Sequence, residues 1–185
     1  NMTEICSIDV DTLGDLKPLN QVVLSLGSNQ GDSLEILQGA VDRLAETPNL
    51  ILVDVSSVYR TAPVDNTNQP DFYNIVVIAD STLEPLLLLQ RCQAIEDAYG
   101  RVRDPANPHG PRTLDIDLIQ VGRRTSETDQ LTLPHPRAHE RAFVLVPWLE
   151  IDRRAALPQG HVDDLVATMD TSGVSKVPDV SIIKP

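Results

Sequence analysis

Apolar residues follow two rhythms along this chain, one alternating with a period of two and one recurring every three to four positions, in separate blocks. The stretch "QVVLSLGSN" (21–29) reads as a short apolar strand running into a Gly-Ser-Asn turn. Leu34, Leu37, Val41 and Leu44 then repeat at helical spacing; Asp32 can cap that helix with Glu35 three residues on, and Thr47-Pro48 stops it. "LILVDVSSVY" (50–59) and "YNIVVIAD" (73–80) are β-rich runs joined by "RTAPVDNTNQPDF" (60–72), the pattern of two antiparallel strands with a connection of functional length. Thr82 can cap a second helix with Pro85 in its first turn. Leu88, Cys92, Ile95 and Tyr99 line one face of it, and Gly100 ends it. After the loop "RVRDPANP" comes the apolar stretch "HGPRTLDIDLIQVG" (109–122), a buried strand that carries two aspartates.

The order strand, helix, strand, strand, helix, strand is that of a ferredoxin-like α+β sandwich, an antiparallel sheet with helices on one face. "LTLPHPRAHERAFVLVPWLEI" (131–151) adds a strand or short helix expected at the sheet edge. Residues 1–20 are acidic and weakly patterned and read as a flexible extension. Residues 21–168 form the expected catalytic domain, and residues 169–185, whose last fifteen ("TSGVSKVPDVSIIKP") hold no clear period, read as a C-terminal tail.

A chain of 185 residues with 41% hydrophobic content fits one domain with a real core. Its net charge of −12 and pI near 4.6 argue against a general nucleic-acid binder, which shows a basic footprint, so a phosphate ligand must be met by local charge or by metal. No apolar run approaches the roughly 18 residues that span a bilayer, and the reading is a cytoplasmic protein with no membrane partner. Cys6 and Cys92 lack metal or redox spacing and read as free thiols.

The two aspartates change the picture. Aspartate is a poor strand former, and an unpartnered buried carboxylate costs several kcal/mol. Along a strand Asp115 and Asp117 share one face, with backbones about 6.5 to 7 Å apart, while Leu114, Ile116 and Leu118 take the other. Two such carboxylates can converge on Mg²⁺, which takes one or two of them and fills its octahedron with water and substrate phosphate. An edge strand wetted on one face is the bland alternative. Residues 101–141, however, hold Arg101, Arg103, Arg112, Arg123, Arg124, Arg137 and Arg141, seven of the chain's 15 basic residues, with His109, His135 and His139, three of its 4 histidines. Arginine forks around a carboxylate-held metal suit phosphoryl transfer. Neither a GxxxxGK[ST] loop nor a kinase Gly-rich loop is present.

The motifs "LSLGSN", "YRTAPVDNTNQPDFYN", "GRVR", "GPRTLDIDLI" and "LPHPRAHERAFVLVPW", in this order and spacing, resemble those of the 6-hydroxymethyl-7,8-dihydropterin pyrophosphokinases of folate biosynthesis, over about residues 21 to 152. The resemblance implies a ferredoxin-like enzyme that moves the terminal pyrophosphoryl group of ATP to the hydroxymethyl group of a reduced pterin, giving AMP. It implies two Mg²⁺ ions on Asp115 and Asp117, with Asp115 also helping to remove the hydroxyl proton. For the flat pterin it implies stacking between Phe72 and Phe143, an Asn74 amide that offers both donor and acceptor, and backbone contacts at Thr61, Ala62 and Val64. On the nucleotide side it implies Arg103, Arg112 and Arg141 at phosphates or closing loops, His135 at the triphosphate, Glu96 as a polar contact, and Thr132 and the backbone around Leu118 at the adenosine. A monomer is expected, with an adjacent folate-pathway enzyme as a partner.

Three departures stand out. Pro108-His109 precedes "GPR" where relatives carry an arginine and a large aromatic, that loop is one residue longer than the shortest alignment gives, and Gln130 stands where an arginine can occur. They bear on nucleotide affinity and loop closure rather than on the reaction. His109 is expected to stand in for the aromatic on a lid formed by "RVRDPANPHG". A non-catalytic module of the same fold explains the sheet but not the paired aspartates among arginines. An RNA-binding sheet needs exposed aromatics and a basic face, which this sequence lacks.

Overall fold

In the computed structural model, residues 17–63, 68–100, 106 and 113–185 are described. Three long strands and two long helices carry the fold: β1 (Asn20–Ser28), α1 (Ser33–Ala45), β4 (Phe72–Ser81), α2 (Pro85–Ala98) and β5 (Asp115–Val121). The expected strand over 50–59 is two pieces, β2 (Leu50–Val55) and β3 (Tyr59–Thr61). The break between them is held by Ser56, whose N–H donates to the Val76 carbonyl (2.9 Å) and whose Oγ accepts from the Val76 N–H (2.9 Å). β2 pairs with the end of β4 (Leu50 opposite Ser81) and β3 with its start (Tyr59 opposite Asn74), so one long strand serves two short ones.

The sheet runs β10 (Val174–Lys176), β3, β4, β1, β5, with β2 also on β4, and every pairing is antiparallel. This is the expected ferredoxin-like order. Leu37, Val41 and Leu44 of α1 and Leu88, Cys92 and Ile95 of α2 bury against Val22, Leu24, Leu26, Ile75 and Val77 on one face. Asp32 caps α1 as its sequence position predicts, accepting from the Glu35 N–H at 3.2 Å. Thr82 does not cap α2. Glu84 holds that position without a side-chain cap bond, and the Thr82 N–H is spent on the Asn49 carbonyl. Gly100, at φ +71°, ends α2 as expected. Cys92 is buried and free, its thiol pushed up to about 12, chiefly by burial and then by Glu96 and Asp117.

The C-terminal third departs from expectation. The short hairpin β6 (Ser126–Glu127) and β7 (Thr132–Leu133) leads to α3 (Ala142–Ile151), which packs over β4 at the middle of the sheet rather than at its edge. Val144, Leu145 and Trp148 bury there against Val23, Val76, Ile78 and Ile119, giving the second face its own core. An all-round apolar run such as "AFVLVPW" signals burial on several sides, which a face provides and an edge does not. β8 (Ala156–Leu157), β9 (Gly160–His161) and α4 (Val162–Thr168) complete that layer. Residues 174–176 then form β10 (Val174–Lys176) on β3, Ile182 enters the first core, and the Gln38 side chain exchanges two 2.8 Å bonds with the Ile183 backbone.

Candidate active site

Register alone brings the candidate residues together. Gly27 of β1 lies opposite Asn74 of β4 on one side and opposite Asp115 of β5 on the other, while Asn74 also faces Tyr59 of β3. Two residues along, Ser25 lies between Val76 and Asp117. Cross-strand partners point to the same face, so Asn74, Gly27, Asp115 and Asp117 share the face that carries α3. Thr61, opposite Phe72, belongs to that face too. Two strand spacings separate Asn74 from Asp115, about 9.5 Å, with only a glycine between them. The result is a shallow floor bounded by an amide at one end and two carboxylates at the other.

Helix α3 forms the roof and is fixed at both ends. At its start Arg141 Nη1 stands 3.5 Å from Asp117 Oδ2, with the two side chains 25% and 28% exposed, and the Arg141 guanidinium sits 5.6 Å from the Phe143 ring centroid. At its end the Glu150 carboxylate accepts from the Ser57 N–H (2.7 Å) and hydroxyl (2.6 Å) and pairs with Lys176 at 3.2 Å. Burial, then Glu150, pushes the Tyr59 phenol up to about 12, so it stays protonated beneath that end. Phe72 at the start of β4 and Phe143 in the first turn of α3 are half-buried, one in the floor and one in the roof.

His135 hangs from β5, its N–H donating to the Ile119 carbonyl at 2.8 Å. Its Nδ1 accepts from the Arg137 N–H at 3.2 Å, an arrangement that leaves the proton of a neutral ring on Nε2. Burial first, then Arg141, pushes this imidazole down to about 4, with Asp115 opposing. It is therefore a neutral donor at neutral pH. Glu96 takes a different place from a surface contact: it is 2% exposed on α2, and its Oε2 accepts from the Ile116 N–H at 2.8 Å, between the two aspartates. It meets the site through the backbone. The Asn74 amide is 4% exposed, and its Nδ2 donates to Thr61 Oγ1 at 2.9 Å. Asn29, at the end of β1, holds the 62–71 connection through Gln69 Oε1 (2.7 Å) and the Pro70 carbonyl (3.1 Å).

Thr132 stands on β7, and the Leu118 side chain points into the opposite core, so only its backbone at the outer strand can meet a ligand. Ala62 is exposed beside Thr61. Val64, Arg103, His109 and Arg112 lie outside the described residues. Sequence reasoning missed Gly27 and the ties made by Asn29, Ser57 and Glu150. The sequence reading put Gly27 in a turn, whereas β1 runs through it to Ser28; a glycine within a strand marks close approach, the signal that would have found it. The others depend on pairings that only the folded chain creates.

As a metal centre the floor has a definite character. Among the described residues no group of three or more His, Cys, Asp or Glu gathers as an ion cage. Two carboxylates on one strand face fit Mg²⁺, which takes one or two of them and keeps water and phosphate in its shell, rather than a cation needing an all-protein cage.

Residues 23–153 match the family model of 7,8-dihydro-6-hydroxymethylpterin-pyrophosphokinase (HPPK). The chain belongs to the HPPK family. It is 41% identical to the 2-amino-4-hydroxy-6-hydroxymethyldihydropteridine pyrophosphokinase of Methylorubrum extorquens over 159 residues, covering 86% of this chain and 99% of the relative. It is 38% identical to that of Pseudomonas aeruginosa, covering 86% and 98%. The fold is also that of the Plasmodium falciparum HPPK-DHPS crystal structure with pterin and p-hydroxybenzoate, with a TM-score of 0.64 at 14% identity. That match covers 88% of this chain, which spans less than half (46%) of the Plasmodium chain. No helix among the described residues is long and apolar enough to cross a membrane.

Proposed function

We propose that this chain transfers pyrophosphate from ATP to 6-hydroxymethyl-7,8-dihydropterin, giving AMP and the pterin diphosphate in folate biosynthesis. The observation that carries the reading is the row Asn74, Gly27, Asp115, which sets a ring-reading amide one flat ring's length from a metal-holding carboxylate in a chain of the HPPK family. The pterin lies over Gly27 between Phe72 and Phe143, its polar edge on Asn74 and the backbone of Thr61, Ala62 and Val64. Its hydroxymethyl oxygen then points toward Asp115. That oxygen bonds to the β-phosphorus, the bond from the β-phosphorus to the α–β bridging oxygen breaks, AMP leaves, and the hydroxyl proton passes to Asp115.

Asp115 and Asp117 would hold two Mg²⁺, which when bound neutralise the phosphates and make the β-phosphorus more electrophilic. Arg141, 3.5 Å from Asp117, would take up phosphate charge. His135 donates a hydrogen bond from Nε2–H to the triphosphate and stays neutral. Arg103 and Arg112 supply further phosphate contacts, and Glu96, Thr132 and Leu118 shape the nucleotide side. Residues 21–168, completed by the β10 strand and Ile182 that the fold adds to the sheet and its core, act as the catalytic unit, as a monomer in the cytoplasm, where an adjacent folate-pathway enzyme can take up the product.

The test is incubation with ATP, Mg²⁺ and the reduced pterin while AMP is followed by chromatography. AMP should appear in step with the pterin diphosphate and stop when Mg²⁺ is chelated. Pterin binding without AMP production would overturn the reading in favour of a non-catalytic module.

A further inference from the structure

We infer that Gly27 is a positioning residue for pterin specificity: the space left by its missing side chain is what seats the Asn74 amide. This rests on the assignment of Asn74 to the pterin edge. Gly27 sits in β1 with ladder partners on both sides, and a Cβ built on it would lie 2.8 Å from Asn74 Oδ1, closer than real Cβ atoms approach an oxygen. No left-handed backbone is involved, so the demand at this position is for space.

Elsewhere such a clash is cheap, because the far end of a side chain swings away. Here it is not. Asn74 is buried, its Nδ2 is bound to Thr61 Oγ1, and its backbone is held between β1 and β3. An amide displaced from Gly27 breaks the Thr61 bond, leaves polar groups unpaired, and turns its donor and acceptor away from a ring lying over the glycine. The carboxylates stand on the next strand and are not displaced with it. A side chain at 27 therefore acts on recognition of the pterin edge and leaves the phosphate end in place. Gly27, Asn74 and Thr61 form one unit: recess, reader and tether.

Calorimetry with the full chain, Mg²⁺ and a non-hydrolysable ATP analogue measures the affinity of 6-hydroxymethyl-7,8-dihydropterin for Gly27→Ala, Asn74→Ala and the double variant. Gly27→Ala is expected to weaken the pterin about tenfold or more, the loss that goes with an unpaired buried polar group, and the nucleotide less than about twofold. In the double variant there is no amide to displace, so Gly27→Ala should add almost nothing to the loss from Asn74→Ala. The double variant also relieves the clash if Gly27→Ala alone folds poorly. Additive losses, or equal losses of both ligands, would overturn the inference while leaving the pterin assignment intact. An Asn74→Ala variant with undiminished pterin affinity would overturn both.

Discussion

Asp115 and Asp117 are half-buried on one strand face, but their surroundings differ, and the difference predicts how each responds to substitution. Asp117 is paired with Arg141, so Asp117→Asn removes a metal ligand and also leaves that arginine without its carboxylate. Asp115→Asn removes the carboxylate that the reading places nearest the attacking hydroxyl. Turnover at saturating Mg²⁺ should fall by more than about tenfold in each, since a lost metal contact is worth several kcal/mol in the transition state, with circular dichroism unchanged. Retained turnover would remove the two-metal role. Glu96 is predicted to act through Ile116. Glu96→Ala should cost about 1–3 kcal/mol of stability, the cost of leaving a buried N–H unpaired, and lower turnover; Glu96→Gln, whose carbonyl can still accept, should recover most of the stability in urea melts. His135 sets a pH dependence. Its folded value, about 4, lies below the ordinary 6.5. The unfolded chain therefore takes up the proton first, and the contribution of His135 to stability is complete above about pH 6.5 and lost as the pH falls toward 4. The stability gap between wild type and His135→Gln, read from urea midpoints, should narrow over that window. A constant gap would mean that the imidazole is not held neutral.

At the scale of elements, the decisive feature is helix α3, tied at its start to β5 through Arg141 and at its end, through Glu150, to Ser57 in the break between β2 and β3 and to Lys176 of β10. Phe143 projects from the first turn of this roof, so its height over the floor depends on the far tie. Phe143→Ala should weaken the pterin more than ATP in calorimetry, because stacking area is lost from one ligand alone; equal losses would point to a core defect. Glu150→Gln tests the tie. It keeps an acceptor for Ser57 but gives up the charge that meets Lys176, so a small loss of melting temperature with a rise in the pterin KM is expected, and an unchanged KM would detach the C-terminal strand from the site. The apolar run over residues 142–151 was legible in sequence only as a strand or short helix, and neither its helical form nor its place was. An apolar run records that a segment is covered and carries no information about which surface covers it.

At the scale of the whole molecule, a chain of net charge −12 is proposed to bind a polyanion, which requires local charge to outweigh the global field. Thermal melts should therefore show stabilisation by ATP only with Mg²⁺ present, approaching about 2.7 kcal/mol at a hundredfold excess over Kd; ATP stabilisation that survives chelation would argue against a metal-bridged site. The sequence by itself determined the strand and helix order, both helix faces, the pairing of Asp115 with Asp117 and the motifs that mark the family, because these are properties of neighbours along the chain and of side-chain periodicity. It did not determine that β2 and β3 share one long partner, that residues 174–176 close the sheet, that Glu96 turns inward to hold the backbone between the aspartates, or that Gly27 stands between Asn74 and Asp115. Each of those depends on contacts between segments from about 11 to more than 100 residues apart, and register is settled only when both faces of the sheet are packed.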